Sequence, residues 1–366
     1  MSELSRLLVG NDPTTAAISQ QQADILSQLI AIQLSSFPTE TAAVAFSFPE
    51  PGDKQLSRQT DSYGPIYMMR AFTTGRHAVT TSISFQTGSW TALDSIDLHS
   101  QGLTNQSPAI FGRLGSVSNA TFEVDSQTTA LGVTYGLDTR LDVSLTVPLQ
   151  RICVNGQRTS AAATTTVDSC RNGIGDLRTG MNVALLKRDV AVAVFANLFV
   201  PTGSKANLTG RGQTQASAGI SVSGPRRLVQ PHANVGVTLG GHGVEFGTVS
   251  LLGTSAQFIN EIQPFSSFDY ALGTDVLVKQ DRLTIAAEAN GRALGHGVRF
   301  QQIEALGSSN IESTPLRWQT TLIGTVSAKV RLAGQWIGVT HATWNLVQSG
   351  FRPTVVFGAA LQYRFN

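Results

Sequence analysis

Leu141-Asp142-Val143-Ser144-Leu145-Thr146-Val147-Pro148-Leu149-Gln150 is the stretch on which the fold turns. Leu141, Val143, Leu145, Val147 and Leu149 share one face, while Asp142, Ser144, Thr146 and Gln150 share the other. A period of two is the mark of a strand lying between two different surroundings. The same alternation is found to either side. Upstream, Val79, Thr81, Ile83 and Phe85 oppose Thr80, Ser82, Ser84 and Gln86. Strands are read near 77–90, 119–135, 141–151, 176–186, 189–200, 213–223, 230–240, 265–278, 282–292, 317–330, 335–347 and 353–365. About twelve strands is an even number, as single-chain bacterial outer-membrane barrels have.

The connections separate a membrane barrel from a soluble sandwich. Gly136 to Arg140, Lys187 to Asp189, 224–229, Lys279 to Asp281 and Arg331 to Gly334 are short, whereas 91–118, 152–175, 201–212, 241–264 and 293–316 are long and polar; only the last, 348–352, is brief. Loops sorted by parity fit short periplasmic turns and long outer loops; a sandwich has no reason to sort them. Composition agrees. Only 14% of the 366 residues are charged, against about 25% in soluble domains. No apolar run reaches the roughly 18 residues of a membrane helix. With 26 Lys and Arg against 24 Asp and Glu, there is no basic footprint for nucleic acid. The expected fold is all-β, a transmembrane antiparallel barrel over 77–366 preceded by a helical and extended segment over 1–76.

Aromatic residues fit interfacial girdles. Trp336 and Trp344 share a face eight residues apart, roughly 20 Å along the membrane normal against an apolar band of about 25 Å. Trp318 falls at an outer strand end, and Tyr135, Tyr363 and Phe365 at inner ends. Trp90 has the opposite parity from Val79 and Phe85, so a bulge or a loop position is assumed for it; Ile337 and Val339 fall on the face that should look into the lumen. The final strand carries Val355, Phe357, Ala359, Leu361, Tyr363 and Phe365 on one face, similar to the C-terminal signal read by the outer-membrane assembly machinery, although Asn366 follows the closing aromatic.

In the first 76 residues, Ile18, Ile25, Leu26, Leu29 and Ile32 recur near helical spacing until Ser36-Phe37-Pro38, which predicts one amphipathic helix over 15–34. Met1-Ser2-Glu3-Leu4-Ser5-Arg6 has no basic stretch leading into an apolar run, so no signal peptide is read there. Cys153 and Cys170 flank a polar stretch. A bridge between them would stabilise an extracytoplasmic loop by roughly 3 kcal/mol on the loop-entropy model; two free thiols are the alternative.

Tyr63-Gly64-Pro65, Arg70-Ala71, Gly75-Arg76, Ile96-Asp97-Leu98, Gly173-Ile174-Gly175-Asp176-Leu177, Pro201-Thr202-Gly203, Pro231-His232-Ala233-Asn234-Val235-Gly236 and Gly350-Phe351-Arg352-Pro353 together resemble, in the same order, the bacterial outer-membrane "transporter" proteins known as the MetA-pathway of phenol degradation family. An acidic residue commonly precedes the Arg-Ala pair in that family; here Met69 stands there. The resemblance covers about residues 37–366 and implies an outer-membrane barrel related to channels for fatty acids and aromatic hydrocarbons.

Little else points to chemistry. Gly173 to Leu177 is followed by no helix pattern and no Gly-Lys-Ser/Thr, so it reads as strand entry rather than a phosphate loop. His77, His99, His232, His242, His296 and His341 show no metal-ligand spacing. His341 and Asn345 share a face, yet no serine can be placed beside them to make a hydrolase. Neither enzyme, cofactor nor metal site is expected. Inward parity sends Asp142, Asp176, Arg178, Asn182, Asn197, His232, Asn234, Glu288, Asn290, Lys329 and Arg364 to the lumen, and Arg70 and His341 complete the expected solute path. A twelve-strand barrel is wider than the eight that side chains alone can fill. Tyr63 to Gly75, with the helix, is therefore the candidate hatch in the periplasmic mouth, a loose periplasmic extension being the alternative. The expected function is passive uptake of small hydrophobic or aromatic solutes. The expected partners are outer-membrane lipid, lipopolysaccharide and the barrel assembly machinery. A closed adhesive barrel acting through its outer loops and a general hydrophilic porin are the rival readings.

Overall fold

Twelve long antiparallel strands close on themselves: β1 (Val79–Leu93), β2 (Ala120–Asp138), β3 (Leu141–Thr159), β4 (Leu177–Lys187), β5 (Ala191–Val200), β6 (Gln215–Ser223), β7 (Val229–Leu239), β8 (Ser266–Lys279), β9 (Leu283–Gly295), β10 (Gln319–Arg331), β11 (Trp336–Asn345) and β12 (Phe351–Phe365). This computed structural model describes residues 4, 7, 27–28, 30–40, 63–102, 120–159, 164–225, 228–240, 244–250, 256–262, 266–279, 282–295, 298–304, 312–315 and 319–365. The ring shuts where β1 meets β12, from Val79 opposite Phe365 to Leu93 opposite Phe351, so the barrel keeps no open edge. Each expected strand coincides with one of these. Among the described residues no helix is long and apolar enough to cross a membrane.

The alternation sorts side chains as lipid requires. Ile83, Phe85, Leu131, Leu145, Leu149, Ile220, Phe268 and Phe357 face outward and are exposed, while Thr80, Ser82, Ser84, Thr134, Asp142 and Thr146 face inward and are buried. So much exposed apolar surface is foreign to a soluble monomer and normal for a barrel in lipid. At the short-turn rim Trp336, Tyr363 and Phe365 touch in series, with centroids 4.6 and 4.5 Å apart, and Tyr135 stands opposite Val79. Trp344 sits at the other end of β11, partly exposed. Trp318 lies outside the described residues.

Two sequence expectations change. The stretch 152–175 is not an irregular loop: β3 continues to Thr159, and Thr164–Ile174 returns along it from Thr159–Thr164 to Leu149–Ile174. Here the inner face carries Ile152, Val154 and Val167, buried in one apolar cluster with Ile30, Ala31 and Leu34, so the apolar-out pattern fades although pairing goes on. Cys153 stands opposite Cys170 and the two are bonded. Reduction of this bridge is expected to loosen the hairpin by about 3 kcal/mol, so that protease cuts within 152–174 while circular dichroism of the barrel is unchanged; equal resistance with and without reductant would contradict it. Likewise, the connections 241–264 and 293–316 are not simply loops. They contain Val244–Ser250, Ala256–Ile262, Val298–Glu304 and Glu312–Pro315, which form a separate four-stranded antiparallel sheet.

The bulge expected at Trp90 is present on one side only: the β1–β12 register shifts between Gly88 and Trp90 and again between Trp90 and Ala92. The β1–β2 ladder runs unbroken from Val79–Tyr135 to Trp90–Val124, so Trp90 keeps the inward parity of Thr80 and Ser82 and belongs to the lumen. Its indole is buried against Phe37 and Phe351, at 5.4 and 5.3 Å between centroids. Ile337 and Val339 do face inward, where they pack on Tyr63 and Ile66. An apolar residue in a polar lumen needs an apolar partner from elsewhere in the chain, and the N-terminal segment supplies it.

Candidate functional site

Residues 63–75 run across the half of the lumen next to the short turns, irregular in conformation and therefore without a ladder of their own. Wall side chains satisfy their backbone instead. Tyr63 N donates to Thr284 Oγ1 at 3.2 Å. The amides of Ile66, Tyr67 and Met68 all donate to the Glu288 carboxylate, at 2.9–3.2 Å. Lys329 Nζ donates to the carbonyls of Tyr63 and Pro65, at 3.2 and 2.9 Å. On the opposite wall Asn182 Nδ2 donates to the Arg70 and Phe72 carbonyls, at 3.3 and 3.2 Å. Asp142 Oδ2 accepts from Thr74 N and Oγ1, at 2.7 and 3.0 Å. Contacts to β3, β4, β9 and β10 mean that this segment spans the barrel from wall to wall.

Ser223, His232 and Asp275 form a buried chain: Ser223 Oγ meets His232 Nδ1 at 2.9 Å, His232 Nε2 meets Asp275 Oδ1, and Ser223 Oγ accepts from Ala71 N at 3.3 Å. These are the residue types of a hydrolase triad. Here, however, all three are buried to 3% or less and the hydroxyl is spent on a backbone amide, so the set orients a bond to the segment and exposes no nucleophile. His341 and Asn345 are engaged separately, with Tyr67 Oη at 2.9 Å and the Pro353 carbonyl at 2.8 Å. Two glycines permit the fit. Gly64 has φ +71°, and a Cβ there would lie 2.7 Å from Arg70 Cδ; a Cβ on Gly136 would lie 1.8 Å from the Gly75 carbonyl oxygen.

The helix at 30–36 lies at the other end of the barrel from the one expected. Ile30, Ala31 and Leu34 pack with Trp90, Leu93, Phe122, Ile152, Val154 and Phe351, the long-loop ends of their strands. The expected helical stretch 15–26 lies outside the described residues. Between this helix and residues Tyr67 and Met69 is a cavity of about 310 Å³, walled by Phe37, Trp90, Phe195, Phe199 and Phe351 together with Arg178, Arg211, Arg292, Asp176 and Asp269. The expected lumen residues thus fall into two groups. Asp142, Asn182, His232, Glu288, Lys329 and His341 hold or flank the segment, while Asp176, Arg178, Asn197, Asn234 and Asn290 line the cavity. Arg70 lies on the segment itself, and Arg364 is buried on the inward face of β12. Asp269, Asp275 and Arg292 were within reach of the parity rule, being inward positions of β8 and β9; Arg211 and Glu40 lie off the strands and gave no periodic signal.

Glu40 accepts from Gln362 Nε2 at 2.7 Å. Burial pushes its carboxyl up to about 7, with nearby Lys329 opposing and Glu288 adding to the rise. The proton is therefore held more tightly docked than exposed. Docking is strongest below about pH 4.5 and weakens by up to about 3 kcal/mol as pH rises to about 7. Single-channel openings are expected to be more frequent at pH 7.5 than at pH 5, with the difference lost in Glu40→Gln; equal frequencies at both pH values in the unaltered protein would contradict this.

No family model matches the chain, and no curated protein does. The crystal structure of an outer membrane channel from Pseudomonas putida F1 is similar at a TM-score of 0.52 and 13% identity, covering 86% of this chain and 99% of that one. The chain shares the fold of an outer-membrane channel. More distant likenesses are the translocator domain of the autotransporter NalP from Neisseria meningitidis, with TM-score 0.37, 11% identity and coverage of 80% and 89%, and the TodX monoaromatic hydrocarbon channel, with TM-score 0.34, 10% identity and coverage of 80% and 90%.

Proposed function

We propose that this protein is an outer-membrane channel for passive uptake of small hydrophobic or aromatic solutes, in which residues 63–75 act as a plug. The observation that carries the reading is the cavity of about 310 Å³ walled by aromatic side chains and floored by Tyr67 and Met69 of that segment. Ligand sites are concave, largely apolar and of about this size or larger, and a segment crossing the lumen below the cavity argues against a permanently water-filled pore. The residues that resemble the MetA-pathway of phenol degradation family support it too. Tyr63-Gly64-Pro65 and Arg70-Ala71 are the plug, and His232 belongs to the set that holds it. Lipid and lipopolysaccharide would surround the wall, and the alternating final strand would engage the assembly machinery.

Two measurements test the proposal. Bacterial cells with an intact lipopolysaccharide leaflet that express the protein should take up naphthalene faster than cells with an empty vector, and Trp90→Ala with Phe37→Ala should slow that uptake. Proteoliposomes should swell little in isotonic sucrose. Uptake equal to the empty vector would overturn the solute assignment; rapid sucrose swelling would favour the hydrophilic porin.

A further inference from the structure

Among the described residues, charge in the cavity is not balanced. Arg292 Nε is paired with Asp269 Oδ1 at 2.6 Å. Asp176, by contrast, is taken up by backbone, its oxygens accepting from Gly203 N at 3.1 Å and Arg211 N at 2.8 Å. Three guanidiniums and two carboxylates leave one positive charge among these residues. Neither Arg178 nor Arg211 has a side-chain carboxylate in hydrogen-bond contact among the described residues. Arg178 Nε and Nη2 donate to Asn197 Oδ1 at 3.2 and 3.0 Å. Arg211 Nη1 donates to Gln215 Oε1 at 2.5 Å and Nη2 to the Ser35 carbonyl at 2.7 Å, while its buried Nε has no hydrogen-bond partner among the described residues. Neutral oxygens solvate a guanidinium without cancelling its charge, and an uncompensated buried charge is costly.

Both guanidiniums converge on one ring, with Arg211 Cζ 4.4 Å and Arg178 Cζ 5.5 Å from the Phe199 centroid. Burial, with Arg292 and Arg178 close by and only partly offset by Asp176 and Asp269, pulls the Arg211 guanidinium down to about 9. A second part of the same cavity is apolar, built by Phe37, Trp90 and Phe351. A neutral hydrocarbon would use that part and leave the arginines as they are. A carboxylate would supply the missing charge and the planar acceptor that guanidinium groups bind best.

We infer that the cavity takes a monoanionic amphiphile, with its carboxylate at Arg178 and Arg211 and its apolar body against Phe37, Trp90 and Phe351. This deepens the proposed channel function and rests on it: among small hydrophobic and aromatic solutes, carboxylic acids are the class held most tightly, with neutral hydrocarbons using the apolar part alone.

The test compares 2-naphthoate with 2-naphthamide, of the same shape but neutral, by isothermal titration into the full chain in nanodiscs against empty nanodiscs. Naphthoate is expected to bind at least about tenfold more tightly, and Arg178→Gln or Arg211→Gln to remove about that factor, since hydrogen bonds between ionised partners are about twice as strong as neutral ones. Naphthamide should lose clearly less than naphthoate in Arg178→Gln, because its carbonyl accepts only a neutral hydrogen bond. Equal affinities in the unaltered protein would overturn the anion site while leaving a hydrophobic channel standing, and that comparison needs no variant. Equal loss of both compounds in Arg178→Gln would also overturn it. Binding of neither compound would sink the channel reading itself.

Discussion

Removal of residues 1–75, so that the chain starts at Arg76, is expected to turn a nearly silent barrel into one with stable, large single-channel openings. The wall does not need the segment for closure, because the β1–β12 ladder from Val79–Phe365 onward is formed within the strands. What is lost is the filling. Twelve strands enclose more space than side chains occupy, and inward residues such as Asp142, Asn182, Glu288 and Lys329 would exchange plug backbone for water without a large penalty. Unlike apolar residues, they are suited to a wet lumen. Ile337 and Val339, buried against Tyr63 and Ile66, would be exposed, at roughly 1.5–3 kcal/mol for each side chain fully uncovered, so the truncated barrel is expected to be somewhat less stable. Planar-bilayer recording of the truncated protein checks this; conductance as low as that of the full chain would show that something other than the N-terminal segment closes the barrel.

Glu288→Ala is expected to release the plug while leaving the wall intact. One carboxylate accepts the amides of Ile66, Tyr67 and Met68, and charge-assisted bonds of this kind are each worth roughly 1.5–3 kcal/mol, though not additively. The variant strands three donors in a buried place. It also leaves Lys329, whose hydrogen bonds among the described residues go to the Tyr63 and Pro65 carbonyls, with less negative charge nearby, which adds to the cost because a buried charge needs compensation. Frequent openings and trypsin cleavage after Arg70 are the expected readouts. Glu288→Gln, which keeps an acceptor oxygen but no charge, should fall between. A quiet channel and an uncut Arg70 in Glu288→Ala would mean that the segment is held by packing alone.

The wall was readable from the sequence because lipid and lumen impose opposite demands on adjacent residues, and Leu141 to Gln150 records both. The contents of the lumen were not. Period-two alternation reports that Trp90, Ile337 and Val339 face away from lipid, but it carries no information on what meets them; they are misfits in an empty lumen and ordinary core residues against Phe37, Tyr63 and Ile66. The same limit hid the cavity. Arg178 was on an inward strand position, whereas Arg211 comes from the connection between β5 and β6 and Phe37 from a segment far away in sequence, so their meeting around Phe199 and Trp90 is a product of the closed fold. Past the bilayer, the hairpin of β3 with 164–174 lost the apolar-out pattern because its outer face meets water while its inner face, with Ile152, Val154 and Val167, is buried in the cluster of the helix at 30–36.

The most direct test of a plugged barrel is the single-channel conductance of the full-length protein, refolded from detergent into a planar bilayer at neutral pH. Insertion with almost no steady conductance, broken only by brief openings, is expected if residues 63–75 close the lumen. Stable, large openings from the intact chain would contradict the plug and with it the proposed route for solutes.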